Sequence, residues 1–134
     1  MIRETERTLR YVELIQKGDW DEIGRLFFQS YDDCRDFFEN GHPDISTCID
    51  VLKEIGREGG VFGARMLGGG WGGSILCILE KGKEEELIPR IQELCDKRLG
   101  RENSCDVLVV KEAGSGARAY CRVCFTLNKQ RIEY

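Results

Sequence analysis

The chain has 134 residues, of which 41% are hydrophobic and 33% charged, with 24 acidic against 20 basic side chains. This is the length of one ordinary domain, able to bury about two-thirds of its unfolded surface, and the composition argues against a disordered polyelectrolyte or a membrane span. The net charge of −4 also argues against a nucleic-acid binder that works by broad phosphate neutralisation.

The first twenty residues carry Arg3, Glu4, Glu6, Arg7, Arg10, Glu13, Lys17 and Asp19, which interrupt any apolar signal-peptide core, so a cytoplasmic protein is expected. Thr5 to Gln16 reads as a short helix, with Leu9, Val12 and Ile15 on its apolar stripe and Gly18 as its stop. Asp19 offers an N-cap for a longer helix to about Asn40, in which Ile23, Leu26, Phe27, Tyr31, Cys34, Phe37 and Phe38 keep to one face. Asp32, Asp33 and Asp36 are expected to be solvated on its polar face. Gly41 and Pro43 break that helix. A third, from Asp44 to Arg57, carries Ile45, Cys48, Ile49, Leu52 and Ile55. His42, beside Pro43, reads as a turn residue, because no serine or cysteine constellation completes a catalytic unit around it.

Val61 to Met66 and Ser74 to Leu79 read as two strands flanking a loop from Leu67 to Gly73. Helical spacing returns from Lys83 to Leu99 through Leu87, Ile88, Ile91, Leu94 and Cys95, with Pro89 predicting a late start or a kink. Asp106 to Lys111 is expected to be a third strand and Tyr120 to Leu127 a fourth at the edge, joined by a loop over Glu112 to Ala119 that contains Gly114 and Gly116. Residues 1–134 thus form a single α+β domain of two layers, an antiparallel sheet of three to four strands covered by helices on one face. The seven cysteines are an odd number at low density and read as reduced thiols. Cys121 and Cys124 form a C-x-x-C with no second pair and alternate across a strand, so no metal site is expected.

Eight of the 16 glycines fall between residues 59 and 73. Consecutive glycines between strands can turn their amide hydrogens toward one point and cradle an anion. They can equally admit another polypeptide loop, or serve only as a turn. The segment lacks the G-K-S/T ending of a Walker loop, and a strand rather than a helix follows it. Arg65, just before the loop, is placed either to reach a phosphate or to pair with a carboxylate.

The stretch G-V-F-G-A-R-M-L-G-G-G-W-G-G, Gly60 to Gly73, resembles the third signature motif of the galactokinase branch of the GHMP small-molecule kinases, usually G-A-R-M-T-G-G-G-F-G-G. Glu6-Arg7, Gly18-Asp19, Ser30 with Arg35-Asp36, His42-Pro43-Asp44-Ile45 and Gly116-Ala117-Arg118 resemble, in order, the E-R, G-D, S…R-D, C-P-E-L-D and terminal G-A-R of that branch. Leu67 stands where the family has threonine or serine, and Trp71 where it has phenylalanine. The resemblance implies a ferredoxin-like GHMP kinase C-terminal domain, part of an enzyme that uses ATP and Mg2+ to phosphorylate galactose or a related sugar at its anomeric hydroxyl. In such kinases the catalytic aspartate and arginine, the sugar-binding segment and the loop P-x-x-x-G-L-S-S-S lie in the N-terminal half, and none of these patterns occurs here. Arg65, Gly68, Gly69, Gly70, Trp71, Gly72 and Gly73 would then support the nucleotide and substrate cleft, with no catalytic residue and no turnover by this chain alone. The implied partner is an N-terminal kinase half in cis or in trans. Self-association through the uncovered surface is also expected. The rival reading is a stand-alone binding or regulatory module whose glycine loop holds an anionic metabolite or a partner's loop. Neither reading involves nucleic acid or membrane.

Overall fold

Capping chemistry sets the helix boundaries. In the computed structural model, which describes residues 2–110 and the backbone of 122–124 and 131–133, four helices are present: α1 (Ile2–Lys17), α2 (Trp20–Phe37), α3 (Pro43–Gly59) and α4 (Glu84–Leu99). The Asp19 carboxylate accepts the N–H of Glu22 at 3.1 Å to open α2. His42 Nδ1 accepts the N–H of Asp44 at 3.2 Å, with Pro43 in the first turn, so the lone histidine is the cap of α3. Gly60 and Gly100 close α3 and α4 in the left-handed conformation that glycine adopts without cost. Helix α4 starts at Glu84 and runs on through Pro89. The late start predicted from that proline is not found, and the proline removes the N–H that would have reached the Glu85 carbonyl.

Strands β1 (Val61–Met66) and β2 (Ile75–Leu79) form an antiparallel hairpin in which Gly63, Ala64, Arg65 and Met66 lie opposite Ile78, Cys77, Leu76 and Ile75. The Ala64 side of β1 meets α3 and α4 in the main core, where Ile49, Val51, Leu52, Leu87 and Cys95 are buried. Full burial of each such aliphatic side chain contributes about 1.5–3 kcal/mol. The Gly63 side meets α2, whose Ile23 and Leu26 form a smaller cluster with Leu14 of α1 and with Ile78. The hairpin therefore has helix on both sides, where the sequence suggested one covered face.

Helix α2 sits on β1 without a side chain between them. A Cβ built on Gly63 would lie 2.1 Å from the Gly24 carbonyl oxygen, and one on Gly24 would lie 2.0 Å from the Phe62 carbonyl oxygen. Only paired glycines allow two backbones this close.

Two expectations for the helices are corrected. On α1 the apolar stripe of Leu9, Val12 and Ile15 is exposed, and the buried residues are Arg7 and Leu14, with Tyr11 between them. The rotation of α1 is set by the ion pairs of Arg7 to Glu4 and Asp33, by the edge-on packing of Tyr11 against Phe27 at 5.4 Å, and by Leu14 in the smaller cluster. On α2, Ile23, Leu26 and Tyr31 are buried as the periodicity implies, but Phe37 and Phe38 at its end are exposed, beyond the reach of the core.

Among the described residues the β1–β2 sheet has two strands, where three to four were expected. Asp106 to Val110 carries no strand among the described residues. Within the expected fourth strand, β3 (Arg122–Cys124) pairs antiparallel with β4 (Arg131–Glu133) as a separate two-stranded ladder. Lys111, the Glu112 to Ala119 loop with its Gly116-Ala117-Arg118, and the rest of Tyr120 to Leu127 lie outside the described residues. Cys34, Cys48, Cys77, Cys95 and Cys105 are free thiols, and burial pushes that of Cys77 up to about 12. Among the described residues no helix is long and apolar enough to cross a membrane.

The Gly24 and Gly63 contact yields a direct test. Gly63→Ala puts a methyl into the backbone of α2 and is expected to cost about 3 kcal/mol, at the upper end of overpacking effects. Urea unfolding should show the loss as a lower midpoint at an unchanged slope.

Candidate functional site

The glycine loop is the tip of the β1–β2 hairpin. Its base is closed by the N–H of Leu67, which donates to the Ser74 carbonyl at 2.9 Å. From there Gly68, Gly70, Trp71, Gly72 and Gly73 all have positive φ, so the chain follows a path that few side chains tolerate. Trp71 is the exception to the glycine pattern: at φ 65° it occupies the left-handed region with a bulky side chain, and its indole is 74% exposed. Such a conformation costs on the order of 1–3 kcal/mol and persists only where the surroundings impose it.

Asn40, in the α2–α3 connection, imposes it. Its carbonyl accepts the Trp71 N–H at 2.8 Å, and its side-chain Nδ2 donates to the Gly69 carbonyl at 3.4 Å. A Cβ on Gly70 would fall 2.4 Å from the same Asn40 carbonyl. The loop is thus clamped on one side by the end of α2, while the tryptophan projects from the other. The buried Asn40 Oδ1 has no hydrogen-bond partner among the described residues. No motif singled out Asn40; it lies between a pair of phenylalanines and a glycine and signals only a turn.

Arg65 lies at the root of the loop, half-buried. Its guanidinium stands 6.0 Å from the Phe27 ring centroid, Nη1 is 3.9 Å from Glu4 Oε2, and Nε donates to the Met66 carbonyl at 3.5 Å. It therefore has a carboxylate neighbour. Together with Tyr11, Trp20, Phe27, Leu67 and Leu76, Arg65 lines an open groove of about 280 Å³ that starts beside the loop. The Tyr11 hydroxyl is buried in this region, and burial raises the pKa of the phenol.

Behind Arg65 lies a polar network that locks α1 to α2. Arg7, 7% exposed, pairs with Glu4 and Asp33; Ser30 Oγ, fully buried, donates to Glu4 Oε2 at 3.0 Å; and Arg3 approaches Asp33 at 3.6 Å. Burial alone would lower the pKa of the Arg7 guanidinium, but hydrogen bonds to Asp33 and Glu4 outweigh it and raise the pKa. Asp33 is thus an interior partner, where the sequence suggested a solvated one. Asp32 and Asp36 are surface ion-pair partners of Lys53 and Arg35. Arg7 and Ser30 were recognisable from the order of motifs, whereas Glu4, the carboxylate that joins them to Arg65, was not. No group of three histidine, cysteine or acidic side chains able to hold a metal ion occurs among the described residues.

Comparison with known proteins places this geometry. The family described as GHMP kinases C terminal matches residues 11–97. Galactokinase of Thermotoga neapolitana is 39% identical over 87 residues, covering 65% of this chain and 24% of the relative. Galactokinase of Thermotoga maritima is 34% identical over 100 residues, covering 75% and 28%, and that of Glaesserella parasuis serovar 5 is 35% identical over 119 residues, covering 88% and 29%. The chain thus spans about a quarter of the length of these relatives. The crystal structure of Lactococcus lactis galactokinase complexed with galactose is similar in fold, with a TM-score of 0.64 at 21% identity over 72% of this chain and 24% of that one.

Adjacent glycines separate the roles of the loop. Gly69 has ordinary φ and open space at its Cβ position, so Gly69→Ala should shift stability by less than about 0.5 kcal/mol. Gly70→Ala should cost about 2 kcal/mol, through contact with Asn40 and a strained positive φ. Arg7→Met leaves Glu4 and Asp33 facing each other without their cation and is expected to cost about 3 kcal/mol. Thermal unfolding of the three variants against the parent checks all of these.

Proposed function

This chain belongs to the GHMP kinases C terminal family, and from that premise we propose that it is the C-terminal domain of a galactokinase-like sugar kinase. The whole kinase would transfer the γ-phosphoryl group of ATP to the anomeric hydroxyl of galactose or a related sugar, leaving ADP and the sugar 1-phosphate. The observation that carries this reading is the G-A-R-M-L-G-G-G-W-G-G loop held by Asn40 at the tip of β1–β2, in a chain 33–39% identical to galactokinases over the part it shares with them.

Phosphoryl transfer needs positioned phosphates and neutralised charge more than covalent help from the protein. In this chain the loop residues Gly68, Gly69, Gly70, Trp71, Gly72 and Gly73 offer a fixed wall for the nucleotide and sugar cleft. Arg65 braces its root through Glu4 and Phe27. Mg2+ would enter with ATP and neutralise phosphate charge; the described residues include no cluster to hold it, so its ligands would be the phosphates and groups elsewhere in the kinase. We assign no catalytic residue to this chain and expect it to be inactive alone. Residues 1–134 act as one unit whose partner is the N-terminal kinase half, in cis or in trans. The exposed Leu9, Val12, Ile15 and Trp20 offer the kind of apolar surface that such a partner covers, or a second copy in its absence. A cytoplasmic location fits this role.

The test is a coupled assay for galactose-dependent ADP release. The pure 134-residue chain should give none above background, and sustained release would overturn the division of labour proposed here. In an active assembly, Trp71→Ala should lower kcat/KM about tenfold, the loss of roughly 1.4 kcal/mol of cleft contact.

A further inference from the structure

The residue that clamps the glycine loop, Asn40, is followed by Gly41. An asparagine side-chain amide can close a five-membered ring with the backbone nitrogen of the next residue, and glycine, lacking a Cβ, hinders that approach least. Asparagine is thermolabile for this reason. Two asparagines lie among the described residues, Asn40 and Asn103, and their surroundings differ. The nitrogen that follows Asn103 is locked: the Ser104 N–H donates to Asp96 Oδ1 at 2.7 Å, and the Asn103 N–H to Asp96 Oδ2 at 2.9 Å. A nitrogen held against a carboxylate neither swings toward a side chain nor readily gives up its proton. No such lock follows Asn40. The Gly41 N–H donates to no group among the described residues, and residues 38–42 belong to neither helix nor strand.

The peptide unit that joins Asn40 to Gly41 is also polarised. Its carbonyl oxygen accepts the Trp71 N–H at 2.8 Å. When such a unit loses its N–H proton, the resonance that makes it planar places much of the negative charge on that oxygen. The Trp71 N–H is already in place to stabilise it, as a fixed donor stabilises any developing oxyanion. The side-chain amide under attack is held weakly in comparison. Its Nδ2 reaches the Gly69 carbonyl only at 3.4 Å, and its buried Oδ1 has no partner among the described residues. The glycine loop therefore activates the nitrogen that can destroy its own clamp.

We propose that Asn40-Gly41 is a site of spontaneous modification, in which Asn40 becomes aspartate or isoaspartate and the glycine loop is released. The Gly41 nitrogen, having given its proton to solvent, forms a bond to Asn40 Cγ. The Cγ–Nδ2 bond breaks and the amide nitrogen leaves as ammonia with a proton from water, which closes a succinimide. Water then opens the ring at one of its two carbonyl carbons. Addition at Cγ restores the original backbone with an aspartate side chain. Addition at the main-chain carbonyl carbon gives isoaspartate, in which that carbonyl becomes a free carboxylate on a backbone one carbon longer. Either product undoes the clamp. A carboxylate at the position of the Asn40 amide would face the Gly69 carbonyl with nothing to donate to it, a burial that costs too much to persist, so it turns out to water. In the isoaspartate the carbonyl that holds the Trp71 N–H is displaced as well.

Prolonged incubation of the 134-residue chain in mildly alkaline buffer tests the site, with peptide mapping by mass spectrometry and enzymatic methylation to mark isoaspartate. Each asparagine is compared with itself in the same chain unfolded by urea. Asn40 should keep its unfolded rate of conversion to within about tenfold, whereas Asn103 should slow by more than about 100-fold. In Gly41→Ala the new Cβ meets the flexible Arg35 side chain, its Cγ nearest at 3.3 Å. That variant should unfold at the parent temperature and convert at least about tenfold more slowly. Hydrogen exchange then reads the loop. In the aged chain and in Asn40→Asp, the Trp71 amide should exchange about tenfold faster, while that of Leu67, bonded to the Ser74 carbonyl, keeps its rate. Asn40 slowed by folding as strongly as Asn103, or conversion undiminished in Gly41→Ala, overturns the site. Conversion that leaves the Trp71 amide unchanged overturns the release of the loop.

Discussion

Everything in this domain that could serve a ligand depends on the contact of two backbones, α2 against β1 at Gly24 and Gly63. Because no side chain separates them, α2 lies lower on the hairpin than helix-on-sheet packing normally allows. Its residues then reach both sides of β1, Phe27 toward the Arg65 groove and Tyr31 into the main core. The same depth brings the chain after α2 beside the hairpin tip, where Asn40 holds Gly69, Gly70 and Trp71. Substituting a single atom group at the crossing point would therefore move the loop, at a distance from the loop itself.

The sequence made the hairpin and its loop legible because their signals are local. A glycine cluster between two apolar runs of strand length admits few other arrangements, and the cap at Asp19 follows from the chemistry of helix ends. The rotation of α1 was not legible. Periodicity assigns the apolar stripe to the inside, yet here Arg7 is inside and Leu9, Val12 and Ile15 are outside. A buried guanidinium is costly without partners, and its partners Glu4 and Asp33 come from two helices, so only the assembled fold reveals that the cost is met. The same non-locality hid Asn40: its carbonyl matters because of where α2 ends in space, and nothing in its own side chain announces it. The segment Val107 to Val110 reads as a strand by composition, and such a reading presumes a neighbour to pair with. Strand propensity measures fit to a half-buried surface, and the described residues provide no surface there.

These two misreadings have one origin. Pattern rules assume that every apolar stripe and every apolar run is covered within the chain being read. A chain that matches about a quarter of its relatives' length need not meet that assumption on every face. The exposed stripe of α1 and the exposed Val107–Val110 are then one phenomenon. Where the chain covers itself, as on α3 with Ile45, Cys48, Ile49, Leu52 and Ile55 all buried, pattern and structure coincide.

The strain at Trp71 follows the same logic. A tryptophan at φ 65° among glycines would relax if the loop were free, so its conformation has to be maintained by the Asn40 clamp and, through it, by the close packing of α2. A loop fixed before any ligand arrives loses little conformational freedom on binding one, so rigidity of this kind favours positioning over reactivity. What the structure provides is a rigid loop whose shape is set by two glycines, Gly24 and Gly63, that lie away from it.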